Sequence, residues 1–142
     1  MITFIRHAKQ KSKFVHDSSI IPFTPFNVNV DLIIVSPYLR CRQTAEYFNK
    51  PIQVDTRLSE FQSYKNIKLD NSSLNYGEIP IKETWKCFTD RIDSVYEDIS
   101  NLHCNVLVIT HGIVVKYLEE KIKGTIKYKR GRDVPYLKGF TV

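Results

Sequence analysis

The chain has 142 residues, 42% of them apolar and 25% charged, which is the length and composition of a single globular domain over residues 1–142. This excludes a largely disordered chain, a collagenous repeat and a coiled coil, and no apolar stretch approaches the roughly 18 residues a membrane-spanning helix needs. A formal net charge of +6 favours anionic partners such as phosphorylated metabolites, nucleic acid or an acidic surface, without choosing among them.

In chain order, Met1 to Ile5 is short, apolar and β-branched, and reads as a buried strand. Ala8 to Val30 follows as the first connection. Pro22 and Pro25 interrupt it and it has no 3.6-residue period, so it is expected to be a long irregular loop. Its Phe14, Ile20, Ile21, Phe23 and Phe26 are expected to cover the sheet face that a missing helix leaves bare, or to pair two subunits. Asp31 to Val35 is a second strand. Tyr38 to Lys50 reads as a helix, with Ser36 as N-cap and Pro37 at the first helical position. Ile52 to Val54 is a short strand, and Phe61 to Pro80 a polar loop. Glu83 to Leu102 is the clearest helix, because Trp85, Phe88, Ile92, Val95, Ile99 and Leu102 recur at spacings of three and four. Asn105 to Thr110 is another buried strand, Gly112 to Ile122 a helix, and Pro135 to Val142 adds an edge strand. Strands separated by long helices predict an α/β fold, a mostly parallel sheet flanked by helices in an α/β/α sandwich with a reduced first crossover.

The polar residues fall at informative places. One strand ends in Arg6-His7, another in Ser36-Pro37 with Arg40 in the following turn, and a third in His111-Gly112. Open parallel sheets bind ligands beyond the carboxyl ends of their strands. Two of the four histidines and two arginines therefore sit where such a site lies. Guanidinium forks match phosphate oxygens, and an imidazole can be a covalent nucleophile. The set reads as a phosphate pocket with a histidine nucleophile. Glu60 is the best candidate for the acid that protonates the leaving oxygen.

These motifs resemble a family. Arg6-His7-Ala8 is similar to the R-H-G/A signature of the histidine phosphatase superfamily, which includes the cofactor-dependent phosphoglycerate mutases. Ser36-Pro37-Tyr38-Leu39-Arg40 through Thr44-Ala45 resembles its S-P-L-x-R motif, Leu58-Ser59-Glu60 its L-x-E, and Val106 to Gly112 its V-x-x-H-G strand end. Glu83-Thr84 through Phe88 and Arg91 resembles a helix of the small phosphatase branch. The resemblance implies a phosphoglycerate mutase-like fold. It implies His7 as the phosphorylated nucleophile, Arg6 and Arg40 as phosphate ligands, and His111 as a further catalytic and phosphate-binding group. Glu60 would be the proton donor, and no metal or cofactor is implied. Lys9 stands where mutases carry an acidic residue, and the chain is shorter than a mutase. Both favour a phosphatase acting on a small phosphorylated metabolite or phosphoprotein.

Two other readings stand beside it: mutase-type phosphoryl transfer, and a non-catalytic module that binds a phospho-ligand or nucleic acid. Lys121 to Arg132 holds six basic residues and no acid, and reads first as a solvated face, with attraction of anionic substrates or a nucleic-acid surface as the alternatives, since charge alone does not make a nucleic-acid motif. Arg42 reads as a surface residue, and His16 and His103 have no catalytic context. The N-terminal apolar run is too short for a signal peptide. Cys41, Cys87 and Cys104 form no disulfide or zinc spacing and read as buried packing residues. A cytoplasmic protein without membrane contact, a monomer or weak homodimer, is expected.

Overall fold

The computed structural model describes residues 1–12, 14, 17–62 and 82–142. Its frame is one five-stranded sheet. The elements are β1 (Ile2–Arg6), β2 (Leu32–Val35), α1 (Leu39–Glu46), β3 (Ile52–Val54), α2 (Trp85–Ser100), β4 (Val106–Thr110), α3 (Gly112–Lys123) and β5 (Gly139–Thr141), with short 3-10 turns at Thr56–Leu58 and Gly131–Asp133. The strand order is β3-β2-β4-β1-β5. The first four strands are parallel, and β5 runs antiparallel along β1 at one edge.

Strand side chains alternate between two cores. Phe4, Ile34, Val106 and Val108 face α2 and α3, where Phe88, Ile92, Val95, Ile99, Val114 and Leu118 complete one apolar layer. Ile5, Ile33, Val35, Leu107 and Ile109 face the other way, onto Tyr38, Cys41, Ala45 and Phe48. The α/β/α sandwich and its edge strand follow the expectation. Both buried faces explain why these strands read as continuous apolar runs.

The first crossover has no helix among the described residues. It holds only an isolated bridge between Gln10 and Ile20. Coverage of the sheet by its apolar residues is partial. Ile20 is buried, Phe23 stacks on Tyr47, and Phe26 meets Phe48 edge-on, but Phe14 is 90% exposed and Ile21 points largely to solvent. Val28 and Val30 supply the cover that those two do not.

Several boundaries differ from the sequence reading. Helix α1 stops at Glu46 rather than Lys50, because Asn49 adopts a left-handed φ of 50° just before Pro51. Ser36 is not its N-cap. Tyr38 holds that position without a side-chain cap, and the Asp17 carboxylate accepts from the Leu39 and Arg40 amides at 2.7 and 3.2 Å. Helix α2 is capped by Thr84, whose hydroxyl accepts from the Cys87 amide. The ends of its apolar stripe are not core: Trp85 is 50% exposed and Leu102 is also exposed. Of the cysteines, Cys41 alone is buried, Cys104 is half-buried, and Cys87 is exposed. Most of the 61–80 loop lies outside the described residues, as does His16.

Candidate active site

Sheet register brings the polar strand ends to one level. Arg6 pairs with Thr110, and Val35 with Ile109. The next residues, His7, His111 and Ser36, are therefore neighbours across three adjacent strands. Two amides continue the ladder there, His7 to the Thr110 carbonyl at 3.0 Å and Ser36 to the Ile109 carbonyl at 3.1 Å. The two imidazoles sit with ring centroids 5.5 Å apart.

His7 is 4% exposed, and its hydrogen bonds determine its tautomer. Nδ1 lies 2.7 Å from the Ala8 carbonyl oxygen, which can only accept, so Nδ1 carries the hydrogen. Nε2 accepts from the Arg40 Nε–H at 3.1 Å, so Nε2 carries the lone pair. Burial, then the Arg40 charge, holds the imidazole well below its ordinary pKa of 6.5. The ring is thus a neutral imidazole whose lone-pair nitrogen faces a guanidinium.

Arg40, also buried, is the hub of the site. Besides His7, it donates from Nη1 to Asp17 Oδ1 at 3.1 Å and from Nη2 to Glu60 Oε2 at 2.8 Å. Its Nη2 also lies 3.4 Å from His111 Nδ1. His111 is held on its far side by Ser36 Oγ at 2.8 Å, and the Tyr38 ring meets it edge-on. Ser36, read as a cap, thus serves the imidazole instead.

Glu60 reaches the site from the irregular chain after the 56–58 turn. Arg91 of α2 fixes that chain, donating to the Arg57, Ser59 and Glu60 carbonyls at 2.7, 2.7 and 3.0 Å. Glu83 pairs with Arg91 through both carboxylate oxygens. The Glu83–Arg91 pair therefore holds the backbone under the Glu60 carboxylate, whose side chain stays partly exposed.

Arg6 enters from the other side. Its Nη1 donates to the Arg132 and Val134 carbonyls at 3.1 and 2.7 Å, and its guanidinium lies 4.0 Å from the centre of the Tyr136 ring. A cavity of about 250 Å3 opens here. Arg6, His7 and Glu60 share its lining with Arg130 and Arg132. The predicted residues Arg6, His7, Arg40, Glu60 and His111 are thus brought together. Asp17 was not legible in the sequence, and Arg130 and Arg132 were legible only as members of a basic segment. Arg42 instead donates to the Pro37 carbonyl, and His103 is exposed.

The wall carrying Arg130 and Arg132 depends on two glycines. A Cβ on Gly112 would sit 2.0 Å from the Gly131 carbonyl oxygen, and one on Gly131 would sit 2.5 Å from the Ile113 backbone. This close approach lets the 131–133 turn rest on the first turn of α3. A Gly131→Ala protein is expected to lose roughly 2–4 kcal/mol of stability by overpacking against backbone that cannot yield. Urea denaturation checks this, and a loss below 1 kcal/mol would show that the two segments separate easily.

Among the described residues, no helix is long and apolar enough to cross a membrane. A comparison with solved structures finds the crystal structure of an Escherichia coli K-12 (MG1655) protein assigned provisionally as an alpha-ribazole-5'-P phosphatase. The two share 18% identity and a TM-score of 0.61, covering 84% of this chain and 77% of the other. That likeness gives the fold, which is phosphoglycerate mutase-like. No curated protein sequence matches the chain. A family model for the histidine phosphatase superfamily (branch 1) matches residues 26–136. That span begins after Arg6 and His7, which join the site through the β1–β4 pairing. Since the match takes in Arg40, Glu60 and His111 and covers most of the chain, this protein belongs to branch 1 of the histidine phosphatase superfamily.

Proposed function

We propose that the protein is a metal-independent phosphatase that hydrolyses a phosphomonoester through a phosphohistidine on His7. The observation that carries this reading is the state of His7: a neutral imidazole, hydrogen held on Nδ1 by the Ala8 carbonyl, Nε2 lone pair turned toward Arg40. The E. coli neighbour, described as a phosphatase of a 5'-phosphate ester, is compatible with a small-molecule substrate. The three unpaired cysteines suit a reducing cytoplasm.

In this reading the substrate phosphoryl group enters between Nε2 and the Arg40 guanidinium. Its oxygens take over the N–H groups that His7 and Glu60 now occupy, with Arg6 and His111 on the flanks. The Nε2 lone pair forms the P–N bond as the P–O bond to the leaving group breaks, and Glu60 gives its proton to that oxygen. Glu60, now a carboxylate, takes a proton from water. The hydroxide equivalent attacks phosphorus, the P–N bond breaks, and inorganic phosphate leaves neutral His7 behind. Arg6 and Arg40 supply the positive charge that the equatorial oxygens need throughout.

Turnover of p-nitrophenyl phosphate in EDTA, with acid-labile and base-stable label trapped on His7, is the expected result. Label on another residue, or no hydrolysis of any phosphomonoester, would overturn the reading. Glu60 gives a sharper test. Glu60→Gln is expected to slow alkyl phosphate esters by about 10^2- to 10^4-fold, the usual worth of a general acid. It should slow p-nitrophenyl phosphate far less, since nitrophenolate leaves without a proton. Equal slowing of both would remove Glu60 from the acid role.

A further inference from the structure

The six basic residues of segment 121–132 are all exposed, as a solvated face requires, but their surroundings differ. Lys121 pairs with Asp93 at 2.7 Å. Lys123 lies over the Phe140 ring and Lys127 over the Tyr128 ring. Of its basic residues, Arg130 and Arg132 line the cavity that holds His7.

We propose that the substrate carries a second anionic group, a phosphate or a carboxylate, which Arg130 and Arg132 hold while its reacting phosphate sits at His7. The proposal rests on the phosphatase reading for the position of the first phosphate. Three observations carry it.

The first is charge. A phosphoryl dianion is matched by Arg6 and Arg40. Arg130 and Arg132 add two further cationic residues to the same lining, and neither forms an ion pair among the described residues. Glu60, the cavity's acid, is already on Arg40.

The second is rigidity. The Arg132 and Val134 carbonyls are clamped by Arg6 Nη1, and the Arg130 amide donates to Asp133 Oδ2 at 2.9 Å. Gly131 is seated on the α3 backbone and Val134 is fully buried. The two arginines therefore project from fixed chain, and binding through them costs only side-chain ordering.

The third is room. The cavity of about 250 Å3 borders a second one of about 280 Å3 that shares Ile113, Arg130 and Gly131 and is walled by Trp85 and Tyr117. A substrate larger than a bare phosphoryl group fits there, with Arg130 at the junction.

Calorimetric titration of the full chain tests this without requiring turnover. Two matched ligand pairs are used: fructose 1,6-bisphosphate against fructose 6-phosphate, and phosphoserine against phosphoethanolamine. At least one doubly anionic member is expected to bind roughly tenfold to a hundredfold tighter than its partner, the usual worth of hydrogen bonds to charged groups. Which pair discriminates says whether the second group is a phosphate or a carboxylate. An Arg130→Ala/Arg132→Ala double variant should bring that ratio close to one, and Arg130→Lys/Arg132→Lys should restore part of it. Both side chains are exposed, so the fold should survive. A ratio near one for both pairs in the wild type, including no binding at all, overturns the proposal. So does a ratio that the double variant leaves intact. Tighter binding of a 5'-phosphorylated oligonucleotide that persists after its terminal phosphate is removed would make this wall a nucleic-acid surface and also overturn it. If the ligands bind as expected but no phosphomonoester is hydrolysed, the phosphatase reading fails while the second anion site stands.

Discussion

A His7→Ala protein is expected to lose turnover of p-nitrophenyl phosphate by about 10^4-fold or more, the order seen when a covalent nucleophile is removed. It should remain folded. The ring's loss strips a partner from the Ala8 carbonyl and from Arg40 Nε, a cost of about 1–3 kcal/mol for each buried group left bare. Comparison of kcat, phosphoryl trapping and urea denaturation separates the two effects. A variant that keeps activity, or still traps label, would end the phosphohistidine mechanism. The same residue sets a pH expectation. Burial and then Arg40 keep the folded imidazole well below 6.5, so Nε2 stays unprotonated and the acid limb of the rate profile falls well under that pH. Unfolding releases the ring to its ordinary pKa. The unfolded chain therefore binds more protons below about 6.5, and this contribution to stability is lost as pH falls from there toward the folded pKa.

Arg40→Ala should be nearly as severe. It removes the guanidinium that touches His7, Glu60, His111 and Asp17, so a fall of about 10^3-fold in kcat/KM is expected from lost stabilisation of the phosphoryl oxygens. Here stability should drop too. Asp17 is fully buried, and removing one partner of a buried ion pair costs about 3–5 kcal/mol. Arg40→Lys keeps the charge but not the fork, and is expected to recover stability more than rate. Asp17→Asn tests the positioning role directly. It retains one of the two oxygens that the Leu39 and Arg40 amides use, so the helix end should hold in part, while kcat falls about tenfold as the guanidinium loses its buried counter-charge. Wild-type rates for Asp17→Asn would show that His7 and Glu60 suffice to orient Arg40.

Much of this site could be read from the chain alone, and for a specific reason. Strands buried on both faces are mainly apolar up to their carboxyl ends, so the polar residues there, Arg6-His7 and Thr110-His111, mark the carboxyl edge of the sheet without any coordinates. Helix α2 announced itself by three-and-four spacing, though burial at Phe88, Ile92, Val95 and Ile99 did not extend to Trp85 and Leu102 at its ends. That the described residues of the first crossover hold no helix was legible from two prolines and an absent period. Other features carry no local pattern. Asp17 lies in that irregular segment, and nothing beside it in sequence tells that its carboxylate closes the end of α1 and braces Arg40, 23 residues on. Ser36 has the spacing of a helix cap, yet parallel pairing of β2 with β4 puts its hydroxyl on His111. Arg130 and Arg132 look like part of a basic run. Only the contact of the Gly112 and Gly131 backbones turns that run into a wall of the pocket. Sequence determined which residues end the strands, because burial is a property of each segment. Tertiary structure decided which partners those residues meet, because register and close backbone approach belong to pairs of segments distant in the chain.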